Sequence, residues 1–225
     1  MGDSRTSDGH PRSPVGYLVC GRDGLWGQQG IAYDYVLAGS GVYVQAESPL
    51  LRARVRAVPA EVRGLARIDE KVDLVHGPIP GGLFHQALRF MVLAAPLELF
   101  VAVVWDKDAY RLVLPAQTTT GASVKYDRPE NVVFEAHSHG SMQAFFSGTD
   151  NADEQGFRVY GVCGKLLDAR PQVNFRVGIY GFFAPVSWPE LFSGPPPDVT
   201  FKGEFHDSKQ EEGQDVHIVE PHADR

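Results

Sequence analysis

Cysteine is nearly absent from this sequence of 225 residues, with only Cys20 and Cys163 present. Two thiols are too few for a disulfide framework or for a zinc site built on cysteine. The plain reading is two partly buried free thiols in a cytoplasmic protein. Long apolar runs are also missing. The longest, Leu99 to Trp105, falls far short of the ~20 residues that span a bilayer. Residues 1 to 16 carry acids and no apolar stretch of a secretory signal, although Gly2 and Thr6 satisfy the permissive myristoylation pattern. Positive charge is in deficit, with a formal net charge of -7. That argues against nucleic acid as the main partner, because a phosphate backbone calls for a basic face. No H-E-x-x-H and no paired cysteines occur, which sets aside a zincin and a zinc deaminase. An amidohydrolase barrel would need eight βα units and about 250 residues.

Four stretches organise what is there. Residues 1 to 14 are polar and rich in Gly, Pro and Ser, and predict a disordered N-terminus. Residues 15 to 77 read as a small, mainly antiparallel β-rich module, with "GYLVC", "IAYDYVLA", "GVYVQAE" and "ARVRAV" broken by turns at "CGRDG" and "AGSG". No ligand constellation falls there, so the module is expected to serve recognition. "HGPIPGG" marks a boundary, because prolines and glycines resist regular structure. In a second domain, residues 78 to 205, Phe84, Leu88, Met91 and Ala95 form the stripe of an amphipathic helix that Pro96 ends. Strands at "LELFVAVVW", "AYRLVLPA", "NVVFEAH", "FRVYGVCGKL" and "VNFRVGIYGFFAPVSW" follow, with a short helix at "NADEQGF". Residues 206 to 225 predict a flexible acidic tail.

The chemistry concentrates in "EAHSHGSMQAFFSGTD", residues 135 to 150. On a strand, His137 and His139 at i and i+2 face one side and can present two imidazoles to one ion. Asp150, arriving near the N-cap of the next helix, can add a carboxylate oxygen. Two nitrogens and one oxygen make a three-ligand zinc set that leaves the fourth tetrahedral position for water. An H-x-H alone is common by chance; adding the serine and aspartate at their spacing brings the odds to roughly one in a thousand. The rival reading is two surface histidines beside a helix-capping aspartate. His76 and His85 read as surface or boundary residues, and His10, His206, His217 and His222 fall in the tails.

The spacing H-S-H, seven residues, S-x-x-D resembles the JAMM motif of the JAB/MPN zinc metalloprotease family. The resemblance covers about residues 80 to 200. It implies an α/β (α+β) domain, a mixed β-sheet flanked by helices in the JAB/MPN (cytidine-deaminase-like) architecture. It also implies His137, His139 and Asp150 as ligands of Zn2+, Ser147 as an oxyanion donor, and an upstream glutamate as general base. Glu98 fits the helix–Pro–x–Glu arrangement; its rival, Glu135, shares a strand face with the histidines at a position the family does not use. Where eukaryotic members carry two prolines, this chain has Gly140 and Phe146. Gly140 is expected to give an extended substrate close backbone access. With the upstream "DYVLAGSGVYVQAESPLL", the chain looks most like the bacterial PRTRC system protein A family. That likeness implies hydrolysis of a peptide or isopeptide bond at the C-terminus of a ubiquitin-like or sulfur-carrier protein, with an E1-like enzyme as companion. The alternative is a non-catalytic scaffold of the same family.

Overall fold

The computed structural model describes residues 13–119 and 124–203. The expected acidic tail, all but the last two residues of the expected disordered N-terminus, the myristoylation pattern and the four tail histidines lie outside the described residues.

Six strands open the chain: β1 (Val15–Gly21), β2 (Gly24–Gln28), β3 (Tyr33–Ala38), β4 (Gly41–Glu47), β5 (Leu51–Pro59) and β6 (Lys71–Leu74). They form one sheet in the order β2-β1-β3-β4-β5-β6. Every pair is antiparallel except β1 and β3, which run parallel. The two turns legible in the sequence close two-residue hairpins, Gly21 opposite Gly24 and Ala38 opposite Gly41.

The chain continues through β7 (Ile79–Pro80), α1 (Gly81–Ala94), β8 (Phe100–Asp106), β9 (Ala109–Val113), β10 (Gln117–Thr119), β11 (Val124–Tyr126) and β12 (Val132–Ser138). Then come α2 (Gly148–Asp153), β13 (Phe157–Gly164), β14 (Gln172–Ile179), β15 (Phe182–Pro185), α3 (Trp188–Leu191), β16 (Phe192–Ser193) and β17 (Thr200–Lys202). The second large sheet runs β15-β14-β13-β12-β8-β9, with β17 beside β14. Its one parallel pair in the middle, β12 with β13, brackets the histidine motif.

Three local readings change. "HGPIPGG" is regular after all: β7 pairs with β16 and α1 starts at Gly81. "VNFRVGIYGFFAP" is a hairpin rather than one strand, because Tyr180 (φ 48°) and Gly181 (φ 93°) turn the chain between β14 and β15. The second helix begins earlier, with Ser147 at its N-cap.

The fold class differs from the α/β expectation. Among the described residues strands dominate, and the three helices have 14, 6 and 4 residues. Among the described residues no helix layer flanks the sheet on both faces, as the JAB/MPN expectation required. The physical reason is that sheet covers sheet. Val44, Ala46, Leu51, Ala53 and Val55 of the first sheet share one buried cluster with Val173, Phe175, Val177 and Ile179 of β14. Helix α1 adds Phe84, Leu88 and Met91 of the stripe read from the sequence, together with Ala87, to that cluster, and Ala95, the C-cap of the helix, packs partly buried against it. Two apolar sheet faces bury each other as effectively as helices would. Among the described residues no helix is long and apolar enough to cross a membrane.

Candidate metal centre

β12 carries one histidine at its last-but-one residue and the other stands just beyond its end. His137 pairs with Phe100 on β8 and with Val162 on β13, so its backbone is fixed from both sides. His139 lies past Ser138, and its N–H donates to the Cys163 carbonyl at 2.7 Å. The His137 and His139 Nε2 atoms are 3.0 Å apart. Asp150 Oδ1 lies 3.2 Å from His137 Nε2, and Oδ2 lies 3.9 Å from His139 Nε2. One donor atom from each of the three residues falls within 4.8 Å of the others. Ligands about 2.0–2.1 Å from a tetrahedral zinc stand roughly 3.4 Å from one another. The 3.0 and 3.2 Å edges lie near that value, and the 4.8 Å limit on the remaining one leaves the carboxylate a small adjustment to make, so the residues present fit the ion.

Helix α2 delivers the carboxylate through a capping box. The Asp150 N–H donates to Ser147 Oγ at 3.2 Å, and the Ser147 N–H donates to Asp150 Oδ2 at 2.6 Å. Oδ2 is thereby occupied and Oδ1 is left towards His137. Ser147 uses only a lone pair as the cap acceptor, so its O–H remains a donor for another group.

Glu98 is buried, in the short segment between α1 and β8. Ser138 places it there: the Leu99 N–H donates to Ser138 Oγ at 2.9 Å and the Ser138 N–H donates to the Leu99 carbonyl at 3.0 Å. Burial raises the Glu98 pKa, with His137 pulling it down and Asp150 pushing it up. Burial also works to lower the His137 pKa, but the hydrogen bond and charge of Asp150, helped by Glu154 and Glu98, outweigh it and the pKa rises. His139 is lowered by burial and by the neighbouring His137. Burial works to raise Asp150, yet its bond to His137 and the Ser147 N–H hold it well below the usual carboxylate range.

Glu135, the rival base, is drawn elsewhere. Its two oxygens meet Arg128 and Arg158, each at 3.1 Å. His76 stacks on Trp105 at 3.9 Å and His85 packs beside Trp188, neither in the cluster.

The expectation for Gly140 gives way to another role. The residue is buried with φ +53°, and a Cβ there would stand 2.7 Å from the Pro96 carbonyl oxygen. Gly140 lets the loop carrying His139 close against the segment carrying Glu98. Gly140→Ala is expected to cost about 1–3 kcal/mol of stability through positive φ and this clash. Thermal unfolding measures it, and an unchanged melting temperature would refute the packing role.

Sequence reasoning missed Glu154. It is buried, and its Oε1 lies 3.8 Å from His137 Nδ1. Burial pushes its pKa up to about 7, against the pull of Arg176. The signal was the i, i+4 spacing from Asp150, which puts both carboxylates on one side of a helix.

Comparison with protein-family models finds no match for this chain, and a search of curated proteins finds none.

Proposed function

We propose that this protein is a zinc-dependent hydrolase of a peptide or isopeptide bond, working in the cytoplasm. The convergence of His137, His139 and the Asp150 carboxylate carries the reading, with Glu98 buried in the segment that Leu99 ties to Ser138. Zinc, when bound by these three, supplies a Lewis acid for a carbonyl and brings the ionisation of water near neutrality.

The chain's own residues account for the rest. Glu98 takes the proton from the attacking water and passes it to the leaving amine. Ser147, its O–H left free by the capping geometry, donates to the oxygen on which charge develops. Asp150 works as a ligand because the Ser147 N–H holds its other oxygen. The motif's resemblance to JAMM proteins and the wider resemblance to PRTRC system protein A support a ubiquitin-like or sulfur-carrier protein as substrate, cut at its C-terminal tail. An E1-like enzyme is the companion expected for such a tail.

Elemental analysis of purified protein is expected to give one zinc per chain. Incubation with ubiquitin-like proteins bearing C-terminal extensions, followed by mass spectrometry, is expected to show release of the extension and its arrest by a zinc chelator. Protein that takes up no zinc at saturating metal, or cleavage indifferent to the chelator, would overturn the proposal.

A further inference from the structure

The two histidines are held differently behind their metal-facing atoms. His139 Nδ1 lies 3.3 Å from the Gln143 carbonyl oxygen. A carbonyl can only accept, so it fixes N–H on Nδ1 and leaves the lone pair on Nε2. The group nearest His137 Nδ1 on that side is instead a carboxylate oxygen, Glu154 Oε1, at 3.8 Å.

The way Glu154 is held matters as much. Arg176 Nε and Nη2 both donate to Oε2, at 3.0 and 2.5 Å. An arginine fork commonly engages both oxygens of a carboxylate. Here it takes one, and the other points at the ring. The guanidinium is fixed in turn: Nη1 donates to Asn151 Oδ1 at 2.6 Å, and the group stands 3.7 Å from the centroid of Phe146 and 3.8 Å from that of Phe183. Holding Glu154 through Oε2 alone leaves Oε1 turned to the His137 ring.

We infer that Glu154 is a positioning residue for the metal centre: it accepts the Nδ1–H of His137, leaving Nε2 as donor to the ion, and Arg176 holds Glu154 in that role. The inference rests on the zinc reading above. A carboxylate behind a metal-binding imidazole sets its tautomer and orientation and strengthens it as a ligand.

Glu154→Gln keeps the shape and removes the charge. Zinc affinity is read by chelator competition, the His137 tautomer by long-range 1H–15N NMR of the rings, and the fold by thermal unfolding. Glu154→Gln is expected to bind zinc about 10- to 100-fold more weakly and to shift His137 away from the Nδ1–H form. Glu154→Asp, which keeps a carboxylate, is expected to recover part of that loss. Asn151→Ala, which loosens Arg176 alone, is expected to show a smaller weakening in the same direction and stands in should Glu154→Gln fail to fold. Wild-type zinc affinity with unchanged ring signals in both Glu154→Gln and Asn151→Ala overturns the inference. So does an equal loss in the Gln and Asp variants with unchanged ring signals, which marks a purely structural residue. If the wild-type protein takes no zinc while Glu154→Gln still shifts the His137 ring, the zinc reading fails and the positioning of the ring stands.

Discussion

Glu98→Gln is expected to keep its zinc and lose about 10²- to 10⁴-fold in hydrolysis, the usual effect of removing a general base. The segment holding Glu98 is locked to β12 through Ser138 and Leu99, so an isosteric amide there leaves the ligand geometry alone. What the amide cannot do is accept a proton. Burial raises the Glu98 pKa, which makes the carboxylate a stronger base than one on the surface. Glu135→Gln is the control. It removes one charge from between Arg128 and Arg158, and should lower the melting temperature while turnover holds. Zinc content and rates of both variants, measured side by side, decide the matter. An active Glu98→Gln and an inactive but folded Glu135→Gln would move the base to the histidine strand.

The site was more legible than the fold, for a physical reason. Ligand chemistry is local: His137, Ser138 and His139 lie on one short run, and Ser147 and Asp150 form a capping box within a single helical turn. Such patterns survive in the sequence whatever surrounds them. The partner of a sheet face is not local. The alternation in "GVYVQAE" and "LRARVRAV" announces that β4 and β5 bury one face, but not that this face meets β14 rather than a helix. Both solutions bury the same side chains, so the pattern reads alike. The α1 stripe was visible because its period is its own, and the β14–β15 hairpin was hidden because Tyr180 at positive φ carries no turn residue's signature. The pairing of Glu154 with Arg176 was missed for the same reason as the sheet packing. They stand 22 positions apart and come together only when β14 lies beside β13 and α2 folds back over them.

Asp150→Ala is expected to weaken zinc binding by more than the about 10- to 100-fold that follows loss of a residue behind a ligand, because it deletes a ligand itself. It also removes half of a capping box, so the loss needs separating from a frayed helix. Ser147→Ala supplies the separation. It takes away the acceptor for the Asp150 N–H, costs about 1 kcal/mol of stability, and leaves the carboxylate in place. Ser147→Ala should therefore melt earlier yet hold zinc, whereas Asp150→Ala should lose zinc at temperatures where both are folded. The pH dependence adds an independent check. Asp150 raises the His137 pKa, so in the wild-type protein a proton competes with zinc for that ring from above the ordinary imidazole value of about 6.5 downward. Zinc affinity is expected to fall as pH drops through that raised value. In Asp150→Ala the largest raising influence is gone and burial is opposed only by Glu154 and Glu98, so the His137 pKa drops and the fall of the residual affinity should begin at lower pH. Chelator competition measured across pH 5 to 8 reads both effects. Equal affinity and the same pH profile in wild type and Asp150→Ala would remove Asp150 from the ligand set.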